Sequence, residues 1–416
     1  MSPSPDAEAV ATAVRDFYER HPYPRPVEEL RPDAESEAER LEEYHLLWPS
    51  RAFREERSIL VAGCGTAQAA RHALRWPRAR VVGIDVSEAS IAHARALKEK
   101  HGLANLELRR LPVEEAGRLG ETFDQIVCTG VLHHLPDPDA GLRALREALA
   151  PQGRMLLMVY APYGRAGIYL LQEYGRLIGI EATTAGIRDL ASALRLLPAG
   201  HPLWPLLRNS PDFRYDAGLA DALLHPRDRP YSVPQFLAFA ARNRLLFSRW
   251  RRQAPYLPHC GAPRGTPHYA RLAQLGPETQ YAAMELYRGT MLRHSAVLCR
   301  DDDHSGGRKI DFAGDDWLDA VPLRVVDSVC IEEKLPPGKA GVLLNRSHTD
   351  TDIYLPIDAG QKRFVEAIDG RRTARSLAVH LRPQSSIRDF VEQLWRHDQI
   401  LLRMKEADPV SRAQPG

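Results

Sequence analysis

Cysteine is scarce in this 416-residue chain: five in all, Cys64, Cys128, Cys260, Cys299 and Cys330, far apart and with no Cys-x-x-Cys pair. An odd, scattered set excludes a disulfide framework and a cysteine zinc site, and reads as reduced, mostly buried thiols. No metal is expected. A charge excess of one sign is also missing, since 56 Lys and Arg stand against 54 Asp and Glu. No whole-chain field then draws in nucleic acid or acidic lipid, and neither nucleic acid nor membrane is expected as a partner. Apolar residues make up 44%, yet no stretch approaches the roughly 18 uninterrupted apolar residues of a membrane span. The amino terminus has acids early, Asp6 and Glu8, and lacks the basic start and apolar stretch of a targeting peptide. The expectation is a cytoplasmic protein.

The length is a prior for two to three domains. Residues 1–56 read as an N-terminal extension or lid: a helix over 7–19, the rigid turn His21-Pro22-Tyr23-Pro24-Arg25-Pro26, and a Glu- and Arg-rich helix running to Trp48. From Arg57 apolar runs of strand length alternate with helical periods, the pattern of a parallel α/β sheet. Strands are expected over 58–62, 79–84, 105–108, 123–128 and 154–160, with helices over 67–75, 89–101 and 138–149 and a turn at Pro151-Gln152-Gly153. Residues 161–300 lose the alternation and read as a proline-broken helical cap with late strands over 245–250 and 296–299. Residues 301–308 read as a polar linker, and 309–416 as a winged-helix-like unit with helices from 361, over 374–380 and 387–396, and strands over 353–357 and 400–404.

The sharpest motif is Ile59-Leu60-Val61-Ala62-Gly63-Cys64-Gly65-Thr66, an apolar strand entering a Gly-x-Gly turn before a helix. Glycines there let the backbone approach a ligand closely at the strand's carboxyl end. A second strand, Val81-Val82-Gly83-Ile84-Asp85, ends in a carboxylate able to grip a ribose diol, although Asp85 or Ser87 could equally cap the following helix. With Phe123-Asp124-Gln125-Ile126-Val127 and the turn before Met155, this order resembles the class I S-adenosylmethionine-dependent methyltransferases over residues 57–160. The resemblance implies a Rossmann-like sheet and S-adenosylmethionine as cofactor. It assigns the methionine part to Gly63 and Gly65, the ribose to Asp85, and adenine to the stretch Leu111-Pro112-Val113-Glu114, with Ala62, Cys64 and Val86 also among the cofactor-binding residues. The strand end Cys128-Thr129-Gly130-Val131-Leu132-His133-His134 would face the methyl group, with Thr129 and Gly130 touching the cofactor. Val61, Ala67 and Pro112 depart from the family pattern, which more often has an acid, a glycine and an aspartate at those places. The Asn/Asp-Pro-Pro-Tyr signature of base-amino methyltransferases is absent.

Methyl transfer rests mainly on positioning, and a base is needed only when the nucleophile arrives protonated. Candidates are His133, His134, Tyr160 and Tyr163, each with a packing role as its alternative. Tyr169, Glu173 and Tyr174 recur at helical spacing, a face that could turn an acidic and aromatic surface, Glu173 foremost, toward a cationic or amphipathic acceptor. The segment from Asp221 to Tyr231 crowds polar groups into one turn. The chain is therefore expected to methylate a small molecule or a protein. The rival readings are a non-catalytic cofactor-binding regulatory or scaffold protein, and an RNA methyltransferase using the basic, aromatic run Phe247-Ser248-Arg249-Trp250-Arg251-Arg252. Oligomeric state and acceptor atom stay open.

Overall fold

Apolar strands that begin at Ser58 are short enough to be covered by helices on both faces, which a parallel sheet requires. In the computed structural model, which describes residues 5–30, 37–303, 310–381 and 387–405, they are β1 (Ser58–Ala62), β2 (Arg80–Asp85), β3 (Leu106–Arg110), β4 (Phe123–Thr129) and β5 (Leu149–Tyr160), joined later by β6 (Leu245–Trp250) and β7 (Arg293–Arg300). The sheet order is β3-β2-β1-β4-β5-β7-β6. β1 pairs in parallel with β2 and β4, and β7 runs antiparallel to β5. The order reverses between β1 and β4, and the carboxyl ends of strands at such a switch point are where ligands of these sheets bind.

The helices that flank or precede these strands are α1 (Pro5–Arg20), α2 (Glu37–Leu47), α3 (Gln68–Arg75), α4 (Glu88–Lys100), α5 (Pro138–Ala148) and α6 (Ala166–Leu177). Local chemistry sets their ends. Ser87 Oγ accepts from Ser90 N at the start of α4, while Glu19 of α1 accepts from Glu88 N (2.6 Å) and Ala89 N (3.1 Å). Asp137 caps α5, with Pro138 in its first turn. None of the described helices is long and apolar enough to cross a membrane.

The turn expected at Pro151-Gln152-Gly153 is instead an irregularity inside β5. Phe123 pairs with Leu149 but Gln125 pairs with Arg154, so extra residues of β5 bulge between the two pairs. A Cβ on Gly153 would lie 3.0 Å from the carbonyl oxygens of Ala150 and Asp124, a tight fit that favours glycine in the bulge.

The chain divides into two compact units: Met1–Pro32, Glu55–Phe247 and Arg288–Asp303 form one, and Asp33–Arg54, Ser248–Tyr287 and His304–Gly416 the other. These boundaries differ from those expected at 56, 160, 300 and 309. Segments 37–54 and 248–287 join the C-terminal residues because polar groups of theirs are satisfied there. Arg252 reaches Glu42 and Asp327, Gln253 donates to Trp395 O (2.7 Å), Ala254 N donates to Asp398 Oδ2 (2.9 Å), and Met404 N donates to Pro49 O (2.8 Å). The expected linker also starts differently. Asp303 pairs with Arg154 at 2.7 Å, the side chains 1% and 3% exposed, and Asp301 and Asp302 pair with Arg146, so these residues belong to the first unit. Residues 304–308 of that linker lie outside the described residues.

In the first unit, α6 and helices Thr184–Leu194, Trp204–Asn209 and Asp216–Leu223 pack over Ile168, Leu171, Ile187, Leu190 and Leu223, with Phe17 of α1 in the same cluster. In the second, β8 (Val321–Arg324) pairs with β12 (Ile400–Arg403), and β9 (Ser328–Ile331), β10 (Gly341–Asn345) and β11 (Tyr354–Ile357) form an antiparallel sheet in the order β11-β10-β9. Leu343, Ile357, Phe364, Phe390, Val391 and Leu394 fill its core. The expected helices are present, but β8, β9 and β10 were not foreseen: at four or five residues each they are too short to impose a clear period.

Candidate functional site

β1 runs out at Ala62 and the chain turns through Gly63 (φ +65°) and Gly65 (φ +52°), a conformation side chains rarely adopt. The turn is tightly covered. A Cβ on Gly63 would lie 2.3 Å from Val131 Cγ2, and one on Gly65 would lie 2.7 Å from Tyr23 O. The expected lid therefore packs on the Gly-rich turn, and Thr66 Oγ1 donates to Pro24 O at 2.8 Å. Gly65 N donates to Asp85 Oδ2 (2.8 Å) and Ser87 N to Asp85 Oδ1 (2.9 Å). Between the two readings of Asp85, Ser87 is the residue that caps α4. Burial pushes the Asp85 carboxyl above its ordinary value, opposed by the amides of Ser87 and Gly65. With about four acceptor positions on a carboxylate, Asp85 keeps capacity for further donors.

Around this turn, Cys64 is buried, its N donates to Ile84 O, and burial raises its thiol's pKa. Val86 O accepts from Arg110. Val113 is buried at the start of the 3-10 turn Val113–Leu119, and beside it the partly buried Glu114 carboxyl is pushed up by burial. Thr129 Oγ1 accepts from Gln68 Nε2 at 2.8 Å, and Gly130 has φ +81°.

A second cluster lies at the carboxyl ends of β4 and β5. His133 and His134, 0% and 2% exposed, form the 3-10 turn after β4. The His133 ring lies 4.0 Å from that of Tyr160, and the His134 ring 3.8 Å from that of His225. Arg227 O can only accept, so His134 Nδ1, at 2.6 Å, carries a proton and donates to it. Arg227 N donates to His225 Nδ1 at 3.0 Å. Arg165 lies over the Tyr160 ring, its guanidinium carbon 3.5 Å from the centroid, and it pairs with Asp228 at 3.0 Å. Tyr18 OH donates to Asp221 Oδ1 at 3.2 Å. Burial pushes the Asp221 carboxyl up to about 7, with Arg165 and the Tyr18 hydrogen bond pulling the other way. Burial also lowers His133, His134 and His225, which keeps the rings neutral, and raises the Tyr160 phenol, which keeps its proton.

The structure gathers His133, His134 and Tyr160 and leaves two other candidates out. Tyr163 is 44% exposed, and Glu173 is exposed and ion-paired with Arg176. The reason is the choice of buried face. α6 packs through Ile168, Leu171 and Gly175, which turns Glu173 and Tyr174 to the opposite side, so only Tyr169 reaches inward, accepting from Arg165 Nε at 3.1 Å. Tyr18, Arg165, Asp221, His225 and Asp228 were not named as site residues. The polar run from Asp221 to Tyr231 was the one signal that could have found three of them.

Residues 60–155 match a methyltransferase-domain family. They are a class I S-adenosylmethionine-dependent methyltransferase domain. An uncharacterised protein of Synechococcus is 31% identical over 258 residues, covering 57% of this chain and 62% of the relative. The ubiquinone biosynthesis O-methyltransferase of Acinetobacter baylyi is 34% identical over 100 residues, 24% of this chain and 42% of that protein. The chain thus spans about three fifths and two fifths of these curated relatives. Among solved structures, PKMT2 from Rickettsia typhi in complex with AdoHcy shares the fold of this chain with a TM-score of 0.60 at 18% identity, over 88% of this chain and 75% of that one.

Proposed function

We propose that the chain transfers a methyl group from S-adenosylmethionine to a small-molecule or protein acceptor seated at the carboxyl ends of β4 and β5. One observation carries the reading: the left-handed Gly63–Gly65 turn with its buried Asp85, and the buried group of His133, His134, Tyr160 and Asp221, both lie at the carboxyl end of one sheet. The donor set suits the cofactor. Asp85 retains acceptor positions for a ribose diol, Glu114 offers a half-buried carboxylate to an amino group, and the turns at Gly63–Gly65 and Thr129–Gly130 are the backbone that would meet the methionine part.

When bound, the cofactor supplies an activated sulfonium methyl. What remains for the chain is to hold the acceptor, keep out water and take a proton. Asp221 is the group best poised to accept it, being buried and balanced near neutrality. Tyr160 keeps its proton and can orient an acceptor oxygen or nitrogen. The methyltransferase relatives support the class of reaction, and the O-methyltransferase among them makes an oxygen acceptor the first to try.

Purified protein incubated with methyl-labelled cofactor and fractionated cell extract should label a discrete acceptor, and Asp221→Asn should slow labelling at least tenfold with cofactor affinity unchanged. Tight cofactor binding with no labelled product in any fraction would overturn the proposal and leave the regulatory reading.

A further inference from the structure

The buried cluster at the end of β4 contains more polar atoms than the protein satisfies. His133 Nδ1 and Nε2, His134 Nε2 and Asp228 Oδ1 are buried and have no hydrogen-bond partner, a state that folded proteins rarely leave uncompensated. One ligand-type atom from each of His133, His134 and Asp228 lies within 4.8 Å of the other two. We propose that His133, His134 and Asp228 bind a divalent transition-metal ion of the zinc class.

The partners of the outer atoms fit that assignment. Metal-bound histidine usually donates its second ring N–H to a carbonyl, and metal-bound carboxylates are themselves held by hydrogen bonds. His134 Nδ1 donates to Arg227 O at 2.6 Å, which fixes the tautomer and leaves the Nε2 lone pair free. Asp228 Oδ2 is held by Arg165 at 3.0 Å and Gln172 at 3.3 Å, which leaves Oδ1. The Asp228 side chain is 1% exposed, so water does not serve that oxygen from bulk. Burial keeps both histidines neutral, the form that ligates.

A neighbouring set, His134, Asp221 and His225, is equally close-packed. Tautomer chemistry rules against it: His225 Nδ1 accepts from Arg227 N, so the proton of the neutral ring is on Nε2, and that atom is a donor rather than a ligand. Two histidines and one carboxylate leave coordination positions open. If the acceptor reading above holds, an acceptor hydroxyl or thiol would enter there and lose its proton more readily on the ion. The ion site itself does not depend on that reading.

The test uses the full chain, stripped with chelator and titrated with Co²⁺ alone, without cofactor or acceptor. One ion per chain should bind, with the intense visible bands of a four- or five-coordinate centre, and Zn²⁺ should displace it. Asp228→Asn and His133→Ala, each checked for native circular dichroism, should weaken binding at least tenfold, while His225→Ala should retain it. A spectrum that stays that of aqueous cobalt overturns the proposal whatever the methylation assay shows. So does binding that survives both Asp228→Asn and His133→Ala. A chain that binds cobalt here but methylates nothing keeps the ion site and loses only the function proposed above.

Discussion

Asp85 and Asp221 are both buried carboxylates, and their partners separate their roles. Two backbone amides hold Asp85, which suits a fixed acceptor for a ribose diol. Asp85→Ala should weaken S-adenosylhomocysteine binding by roughly 1.5–3 kcal/mol, the range for a hydrogen bond to a charged group; calorimetry finding undiminished affinity would place the ribose elsewhere. Asp221 has one phenol, and burial raises it from 3.8 to about 7. Its folded-state value exceeds its unfolded one, so its contribution to stability is present in full below pH 4 and is lost as pH rises to about 7. The loss is on the order of 4 kcal/mol at most. Asp221→Asn should flatten urea-denaturation stability across that window and make the variant more stable than the parent at pH 8; a parallel decline in both proteins would refute this. The two residues also differ in how readable they were. Asp85 ends an apolar strand 22 positions after Gly63, so strand length and spacing expose it. Asp221 lies in a helix and meets Tyr18 only through folding across 203 positions, and no local pattern carries that contact.

At the level of elements, the strands that build the cofactor side were readable because their apolar runs are short and bounded by Gly-x-Gly, an acid or a polar turn. The face of α6 was not: Tyr169, Glu173 and Tyr174 share a helical spacing, but Ile168 and Leu171 bury more apolar surface, and that decides the orientation. Caps drawn from distant segments were equally hidden. Glu19 accepts two amides at the start of α4, where its charge also complements the helix dipole. Glu19→Ala should cost about 1 kcal/mol in urea denaturation, and an unchanged midpoint would show that Ser87 alone suffices. The Arg154–Asp303 pair joins the start of regular pairing in β5 to the chain just after β7. Asp303→Ala leaves the Arg154 guanidinium buried with carbonyl partners only, and should cost about 3–5 kcal/mol. A loss below 1 kcal/mol, measured the same way, would show that solvent reaches Arg154.

For the whole molecule, composition excludes a strong field but says nothing of how segments distant in sequence share a core. The alternation of strand and helix made residues 57–160 readable as one layer structure, whereas the membership of 37–54 and 248–287 depends on long-range pairs such as Arg252 with Glu42 and Asp327. A separately folding unit confined to 309–416 would let a chain ending at Asp303 behave as an intact protein. The contacts argue otherwise. Such a chain strips Gln253 of Trp395 O, Ala254 N of the Asp398 carboxylate, and α2 of β8 and β12. Asp398 is also the buried partner of His348 at 3.0 Å, so a whole polar knot goes with it. The groups that would hold the cofactor, Gly63, Gly65, Asp85 and Glu114, all belong to the other unit. The truncated chain should therefore still bind S-adenosylhomocysteine while exposing apolar surface from 37–54 and 248–287, read as a several-fold rise in binding of a hydrophobic dye and rapid proteolysis within those two segments. Cleavage resistance in both segments, with no extra dye bound, would show that they pack without the C-terminal residues.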